Sequence, residues 1–241
     1  MKDQYFGDIN DYRKYGLLRL LCPPGGLSLG VVWMLTAADG RPDGGRITYL
    51  RQPEVFRGFD PALFDHLQEA VLCRQRRRVA CAEQSGLFAG AKFINREFTD
   101  AAGERDAARP EWLAELAGRE LVFFDPDNGL EVELCPWGRR NSSKYLYWRE
   151  VEATFERGHS LLIFQHFPRV NRARYTESAL RKLQQRTGAA AVLAFETSLV
   201  VFLLAAQARH VGQISLRAEA VRLKWRGQMK VWGMQPGRQS R

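Results

Sequence analysis

The residues best placed to do chemistry lie in one stretch, Leu121-Val122-Phe123-Phe124-Asp125-Pro126-Asp127-Asn128-Gly129-Leu130-Glu131. Four apolar residues run directly into a carboxylate, so Asp125 marks the carboxyl end of a buried strand. In open α/β sheets that edge is where ligands bind. Pro126 and Gly129 give the turn a defined path, and Asp127 and Asn128 add two polar groups beside Asp125. The ordinary alternative is a polar turn whose Asp and Asn side chains bond their own backbone. Two chemistries suit a site here. Paired carboxylates, Asp125 and Asp127 with Glu131 or Glu196, can hold Mg²⁺ against a phosphodiester and help generate an attacking hydroxide. Alternatively, Asp125 and a backbone carbonyl of the turn can accept hydrogen bonds from an exocyclic base amine and orient its nitrogen for methyl transfer.

Such a site needs neighbouring strand ends. Gln165-His166-Phe167-Pro168-Arg169 closes another apolar run, and Glu196 closes the next. If the three strands are neighbours, Asp125, His166 and Glu196 converge at one sheet edge. His166 then serves as a base or holds a phosphate, its neutral-range pKa suiting either role. Near the start of the chain, Asp8-Ile9-Asn10-Asp11 leads into Arg13 and Lys14, more acid than a helix cap alone requires.

The spacing of apolar residues supplies the elements. A helix is expected over Asp8–Leu21 and a buried strand over Leu27–Thr36, followed by irregular chain. Asp60-Pro61 opens a helix running to about Arg74. A short strand is expected within Phe88–Phe98, a polar turn over Thr99–Ala108, and a helix opened by Pro110. Strands at Glu120–Phe124, Ser160–Gln165, Ala189–Phe195 and Leu199–Ala206 then alternate with helices at Lys144–Arg157 and Ala173–Arg186. A short helix at Ala218–Trp225 and a last element at Met229–Trp232 complete the pattern, with the tail from Gln235 frayed. Alternation of this kind predicts βαβ units, a mainly parallel sheet flanked by helices, and an antiparallel final strand. The 241 residues are expected to form a single α/β domain, with irregular insertions around 37–47 and 77–108.

Composition narrows the class. Hydrophobic residues make up 45% of the chain, which excludes a disordered protein. Ala189–Ala208 is interrupted by Glu196 and does not read as a membrane span. The first residues carry no apolar signal region, so a cytoplasmic location is the expectation. The four cysteines form no C-x-x-C pair. The net charge of +9 is unevenly spread: residues 1–137 hold 17 basic and 21 acidic side chains, residues 138–241 hold 19 and 6. Arg139, Arg140, Lys144, Arg169, Arg172 and Arg174 recur around the expected site and are placed to contact nucleic-acid phosphates. Tyr145, Tyr147, Trp148 and Tyr175 lie among them as surfaces on which exposed bases can stack.

Asp125-Pro126-Asp127-Asn128 resembles a variant of the Asp-Pro-Pro-Tyr motif of S-adenosylmethionine-dependent amino-methyltransferases. The chain follows the course of the bacterial family that methylates adenine N6 in large-subunit ribosomal RNA. Gly7-Asp8-Ile9-Asn10-Asp11 with Lys14 is similar to that family's early Gly-Asn-x-x-Asp segment, and its first strand and glycine turn fall on Val31–Gly45. The resemblance implies a Rossmann-like methyltransferase fold. It places S-adenosyl-L-methionine by Asp8, Asn10, Lys14, Asp39 and Gly40, and makes Asp125, Asp127, Asn128 and His166 the catalytic set on a nucleic-acid base. The chain departs from the family where Asp127-Asn128 replaces the second proline and the aromatic that stacks on the target base, and where Pro42 interrupts the glycine turn. The leading expectation is a divergent methyltransferase acting on a base amino group. A Mg²⁺-dependent nuclease and a catalytically degenerate nucleic-acid-binding protein stand as alternatives.

Overall fold

A computed structural model describes residues 1–36 and 44–234. The strands are β1 (Leu29–Val32), β2 (Lys92–Ile94), β3 (Leu121–Phe124), β4 (Gly129–Leu130), β5 (Tyr145–Leu146), β6 (Ser160–His166), β7 (Ala191–Glu196), β8 (Val200–Ala206) and β9 (Lys230–Met234). The helices are α1 (Ile9–Leu21), α2 (Pro53–Phe56), α3 (Pro61–Gln68), α4 (Ala80–Glu83), α5 (Ala102–Glu115), α6 (Trp148–Glu156), α7 (Arg172–Thr187) and α8 (Val211–Lys224). Seven strands form one sheet in the order β2-β1-β3-β6-β8-β7-β9, and β4 and β5 form a separate ribbon. β2, β1, β3 and β6 are parallel, whereas β8 runs antiparallel to both its neighbours and β9 antiparallel to β7. The result is a Rossmann-like α/β sheet, as the alternation predicts.

Each central strand is apolar on both faces because helices cover both. Leu29, Val31, Phe123, Leu162 and Phe202 pack with side chains of α1, α3 and α8. Val32, Val122, Phe124, Ile163 and Leu203 pack with those of α5, α6 and α7. From β1 the chain travels to β2 on one side, and from β3 it travels to β6 on the other. The crevice between β1 and β3 is therefore a topological switch point, where this class of sheet leaves room for a ligand.

Two expected elements form differently. The turn over Thr99–Ala108 and the proline-opened helix are a single helix, α5, with Pro110 inside it. Proline removes one backbone hydrogen bond there. The helix runs through because Arg105, in its first turn, is buried and anchored: it donates to Glu150 at 2.8 and 2.6 Å, to the Ser142 carbonyl at 3.0 Å and to that of Tyr145 at 2.8 Å. The helix expected from Lys144 starts at Trp148, since Tyr145 and Leu146 are used in pairing with β4 and Glu150 accepts the Tyr147 N–H at 3.0 Å. α8 begins earlier than Ala218, and Asp39, Gly40 and the tail from Gln235 lie outside the described residues.

α1 meets α8 through a notch at Gly16. A Cβ placed there would stand 2.0 Å from the Trp225 ring, which also packs on Tyr12 at 4.9 Å. Substituting Gly16→Val overpacks this crossing, and urea unfolding should show a loss of about 1–3 kcal/mol or more. Unchanged stability would mean that the crossing relaxes freely.

Candidate functional site at the switch point

Strand β3 delivers Asp125 to the crevice, its N–H bonded to the Val32 carbonyl at 3.0 Å. Its carboxylate, only 2% exposed with the rest of the residue, accepts from Lys14 Nζ at 2.7 Å. Lys14 reaches there from the second turn of α1 and pairs equally closely, at 2.7 Å, with Asp11. The rings of Tyr15, Trp33 and Phe164 stand 5.2, 5.5 and 5.9 Å from its nitrogen and offer their π faces to the charge. Burial works against the ammonium, but Asp11 and Asp125 outweigh it and raise its pKa above the ordinary lysine value. Two carboxylates on one cation leave a surplus of negative charge. Burial accordingly pushes the Asp11 carboxyl up to about 6, against the opposing pull of Lys14.

Asp11 is held by more than the ion pair. Its second oxygen accepts the Gly7 N–H at 3.1 Å and the Tyr15 hydroxyl at 3.2 Å. Asp8 caps α1 by accepting the N–H groups of Asn10 at 2.6 Å and Asp11 at 3.2 Å, and burial raises its pKa. The two structural jobs explain part of the early acid cluster, and both residues also line the crevice.

The first residues cross the same space. The Met1 amine donates to the Met34 carbonyl at 3.0 Å and to the Asp125 carbonyl at 3.2 Å, and Lys2 Nζ stands 3.5 Å from Asp127. Around them the crevice encloses about 630 Å³ and is lined by Tyr5, Arg46, Asn128, Lys144, Phe164 and His166 besides the residues above. This volume lies within the usual range of small-molecule sites. Asp127 Oδ1 and Asn10 Oδ1 are buried in its wall without a hydrogen-bond partner among the described residues. Both are acceptors; the Met1 amine stands 3.9 Å from Asp127 Oδ1, beyond hydrogen-bond reach, and buried acceptors without a hydrogen bond are uncommon.

Gln165 fixes the turn that carries Asp127 and Asn128. Its Oε1 accepts the Leu130 N–H at 2.7 Å and its Nε2 donates to the His166 carbonyl at 2.8 Å. Gly129 has φ +103°, and a Cβ there would stand 2.4 Å from the Gln165 side chain, so only glycine permits this approach. His166 presents an exposed edge at the rim and packs on Phe164 at 4.9 Å. Burial of the rest of the ring lowers its pKa, and the opposing pull of Asp127, Asp125 and Asp8 does not restore the ordinary value.

The structure thus gathers Asp8, Asn10, Lys14, Asp125, Asp127, Asn128, Lys144 and His166 around one cavity. It separates others. Glu196 does not converge with Asp125 and His166, because β6 and β8 stand between β3 and β7; it bonds Thr176 and the Trp232 indole N–H instead. Glu131 is drawn away to the first turn of α6, where it accepts the Trp148 N–H at 3.2 Å. Among the described residues there is no group of three or more His, Cys, Asp or Glu side chains that could hold a metal. Arg139, Arg140, Arg169, Arg172 and Arg174 are exposed outside the cavity: two precede Lys144 and three follow His166. The sequence marks Gln165 as the interior residue of its strand end but gives it no role, and it does not point to Asp11 as partner of Lys14 or to Lys2, Tyr5 and Arg46. The polar Gln165 in a buried strand was the readable signal; the others are brought in by tertiary folding.

No family model and no curated protein matches the chain. Among solved structures it is similar to protein LPL1258 from Legionella pneumophila str. Philadelphia 1, assigned to the family model DUF519. The likeness covers 97% of this chain and 98% of that one, with 12% identity and a TM-score of 0.43. At that distance it adds nothing to the chemistry of the site. No described helix is long and apolar enough to cross a membrane.

Removing the central cation tests the charge balance. Lys14→Met leaves Asp11 and Asp125 buried without their shared partner, and should destabilise by about 3–5 kcal/mol at pH 8. The stranded carboxyls then have pKa values further above those of the unfolded chain, so the folded state binds more protons. Stability must therefore fall as pH rises, and urea midpoints should show part of the loss recovered at pH 5. An equal loss at pH 5 and pH 8 would assign Lys14 a packing role only. Adding Asp11→Asn to Lys14→Met should restore stability at pH 8.

Proposed function

We propose that this chain is a divergent S-adenosylmethionine-dependent methyltransferase acting on an amino group of a nucleic-acid base. The observation that carries the reading is the pair of buried acceptors without a hydrogen bond among the described residues, Asp127 Oδ1, which has the Met1 amine at 3.9 Å, and Asn10 Oδ1, both in the wall of the crevice at the switch point. Acceptors of this kind call for a ligand rich in N–H and O–H donors. A base amine and the amino and hydroxyl groups of the cofactor are donors of this kind. The residues fit the cofactor: Asp8, Asn10 and Lys14 would hold it on the α1 side, and when bound it supplies an electrophilic methyl group on a sulfonium.

The protein's own groups do the positioning. Asp127 and Asn128, on a turn stiffened by Gln165, would accept the hydrogens of the target amine and aim its nitrogen lone pair. Asp125 supports them through Lys14 and through the backbone carbonyl at which the Met1 amine now donates. Tyr5 lines the cavity with Lys2 Nζ 5.8 Å from its ring centre, and is the aromatic side chain nearest in role to the one the Asp127-Asn128 motif lacks. A nitrogen that gains a carbon must lose a proton, and His166, held neutral at pH 7 by its lowered pKa, would take it at the rim. Lys144, with Arg169, Arg172 and Arg174 beyond the rim, would meet the phosphates. The metal-dependent alternative has no comparable support, since Asp125 is committed to Lys14 and Glu131 and Glu196 lie elsewhere.

Calorimetric titration with S-adenosylhomocysteine is the direct test. The wild type should bind, and Asn10→Ala should weaken binding about tenfold, as loss of a charged or dipolar hydrogen bond does. Folded protein that shows no binding would sink the proposal. In a methyl-transfer assay on mixed RNA and DNA, the rate should decline as pH falls through the lowered His166 pKa. His166→Gln should abolish that acid limb; an unchanged limb would remove His166 from the reaction.

A further inference from the structure

The β4/β5 ribbon ties the crevice to a second cavity. At one end of the ribbon the Asn128 N–H bonds the Lys144 carbonyl at 2.8 Å, and both residues line the crevice. At the other, the Glu131 N–H bonds the Leu146 carbonyl at 2.9 Å, and the chain continues into a cavity of about 410 Å³. Two residues, Gly129 and Leu130, separate Asn128 from Glu131, a span of about 10 Å.

The second cavity is walled by Trp137 and Trp148, with Arg149, Lys182 and Arg186 around them. The Trp137 ring stands edge-on to Tyr147 at 4.9 Å and has two guanidinium groups over it, buried Arg105 at 4.7 Å and exposed Arg149 at 4.8 Å. Lys182 and Arg186 lie over Trp148 at 5.2 and 5.7 Å. Arg149 and Arg186 share carboxylates with Asp106 and Glu152, whereas Lys182 has no carboxylate partner among the described residues. Of the acids in the wall, Glu131 is held by the Trp148 N–H and Glu133 is exposed. Trp148 is 4% exposed, yet its Nε1 donor has no partner among the described residues. A buried indole N–H normally has one.

Half-exposed aromatic surface, an unspent donor and a cluster of cations together match a flat heteroaromatic group joined to an anion. We propose that this cavity holds a nucleotide flanking the target base of a single-stranded nucleic acid, its base on Trp137 in place of the exposed Arg149 guanidinium and its phosphate on Lys182 and the displaced Arg149. An edge acceptor of the base would meet Trp148 Nε1. The placement of the target base rests on the methyltransferase reading; binding at Trp137 does not.

A fluorescein-labelled single-stranded oligoadenylate RNA, and the DNA of the same sequence, provide the probes, with fluorescence anisotropy as the readout. Trp137→Ala should weaken binding about tenfold, in line with loss of one stacked base. Lys182→Glu, an exposed change that leaves the core intact, should weaken binding and reduce the slope of affinity against salt by about one phosphate contact. Both variants should keep wild-type circular dichroism and wild-type affinity for S-adenosylhomocysteine. Wild-type protein that fails to bind either strand, or folded variants within twofold of wild type, would overturn the inference. If the oligonucleotide binds through Trp137 while S-adenosylhomocysteine does not bind, the nucleotide site stands and the methyltransferase reading falls. If the cofactor product binds and both variants hold the strand normally, the reverse follows. A loss confined to RNA or to DNA supports the site and identifies the strand it takes.

Discussion

The buried ammonium of Lys14 is the interaction on which the rest of the site depends. It joins a helix to a strand end, with Asp11 on its own helix and Asp125 on β3, each at 2.7 Å. Without it the carboxyl end of β3 would present unpaired charge to an apolar sheet. With it, α1 is pinned across the switch point, and the residues before α1 are drawn over the crevice, where Met1, Lys2 and Gly7 find partners. The pair is also asymmetric. One cation serves two acids, and the Met1 amine and Lys2 stand beside the next carboxylate, Asp127.

These acids stand against the overall charge of the chain. The protein is basic, but the switch-point crevice has Asp8, Asp11, Asp125 and Asp127 in its wall, all of them buried. The arginines concentrated after residue 138 lie outside it on exposed turns and helices. Inside the crevice acids and cations are paired, Lys14 with Asp11 and Asp125 and Lys2 with Asp127, whereas the exposed arginines lie beyond its mouth. A polyanion can be drawn to such a surface by its backbone while the group that enters the crevice is a donor.

Much of this was legible in the residues. An apolar tetrad ending in Asp125 located the strand end and the site, and the alternation of strands and helices gave the sheet class. Lys14 and Asp8 stood out because acids crowd the start of α1. The misplacements have physical causes. Glu196 was expected beside Asp125 because consecutive strands are commonly neighbours, but the β7–β8 hairpin inserts β8 next to β6 and carries Glu196 outward. Pro110 read as a helix start because the local signal is strong; the Arg105–Glu150 pair, 45 residues apart in sequence, holds the helix through it. The closing of the crevice by residues 1–5 had no local pattern at all, since it depends on partners more than thirty residues away.

The Gln165 side chain has a mechanical consequence. By accepting from Leu130 and donating to the carbonyl of His166, it clamps the Asp127–Gly129 turn and the end of β6 into one block. The opposite wall is attached differently, by ammonium groups, a few backbone bonds and the short chain before α1. The two walls are therefore built differently: an amide clamp sets the Asp127 side, while ion pairs and backbone bonds of the chain's first residues set the other. The position of Asp127 is thus dictated by β6, through a single side chain, rather than by its own turn.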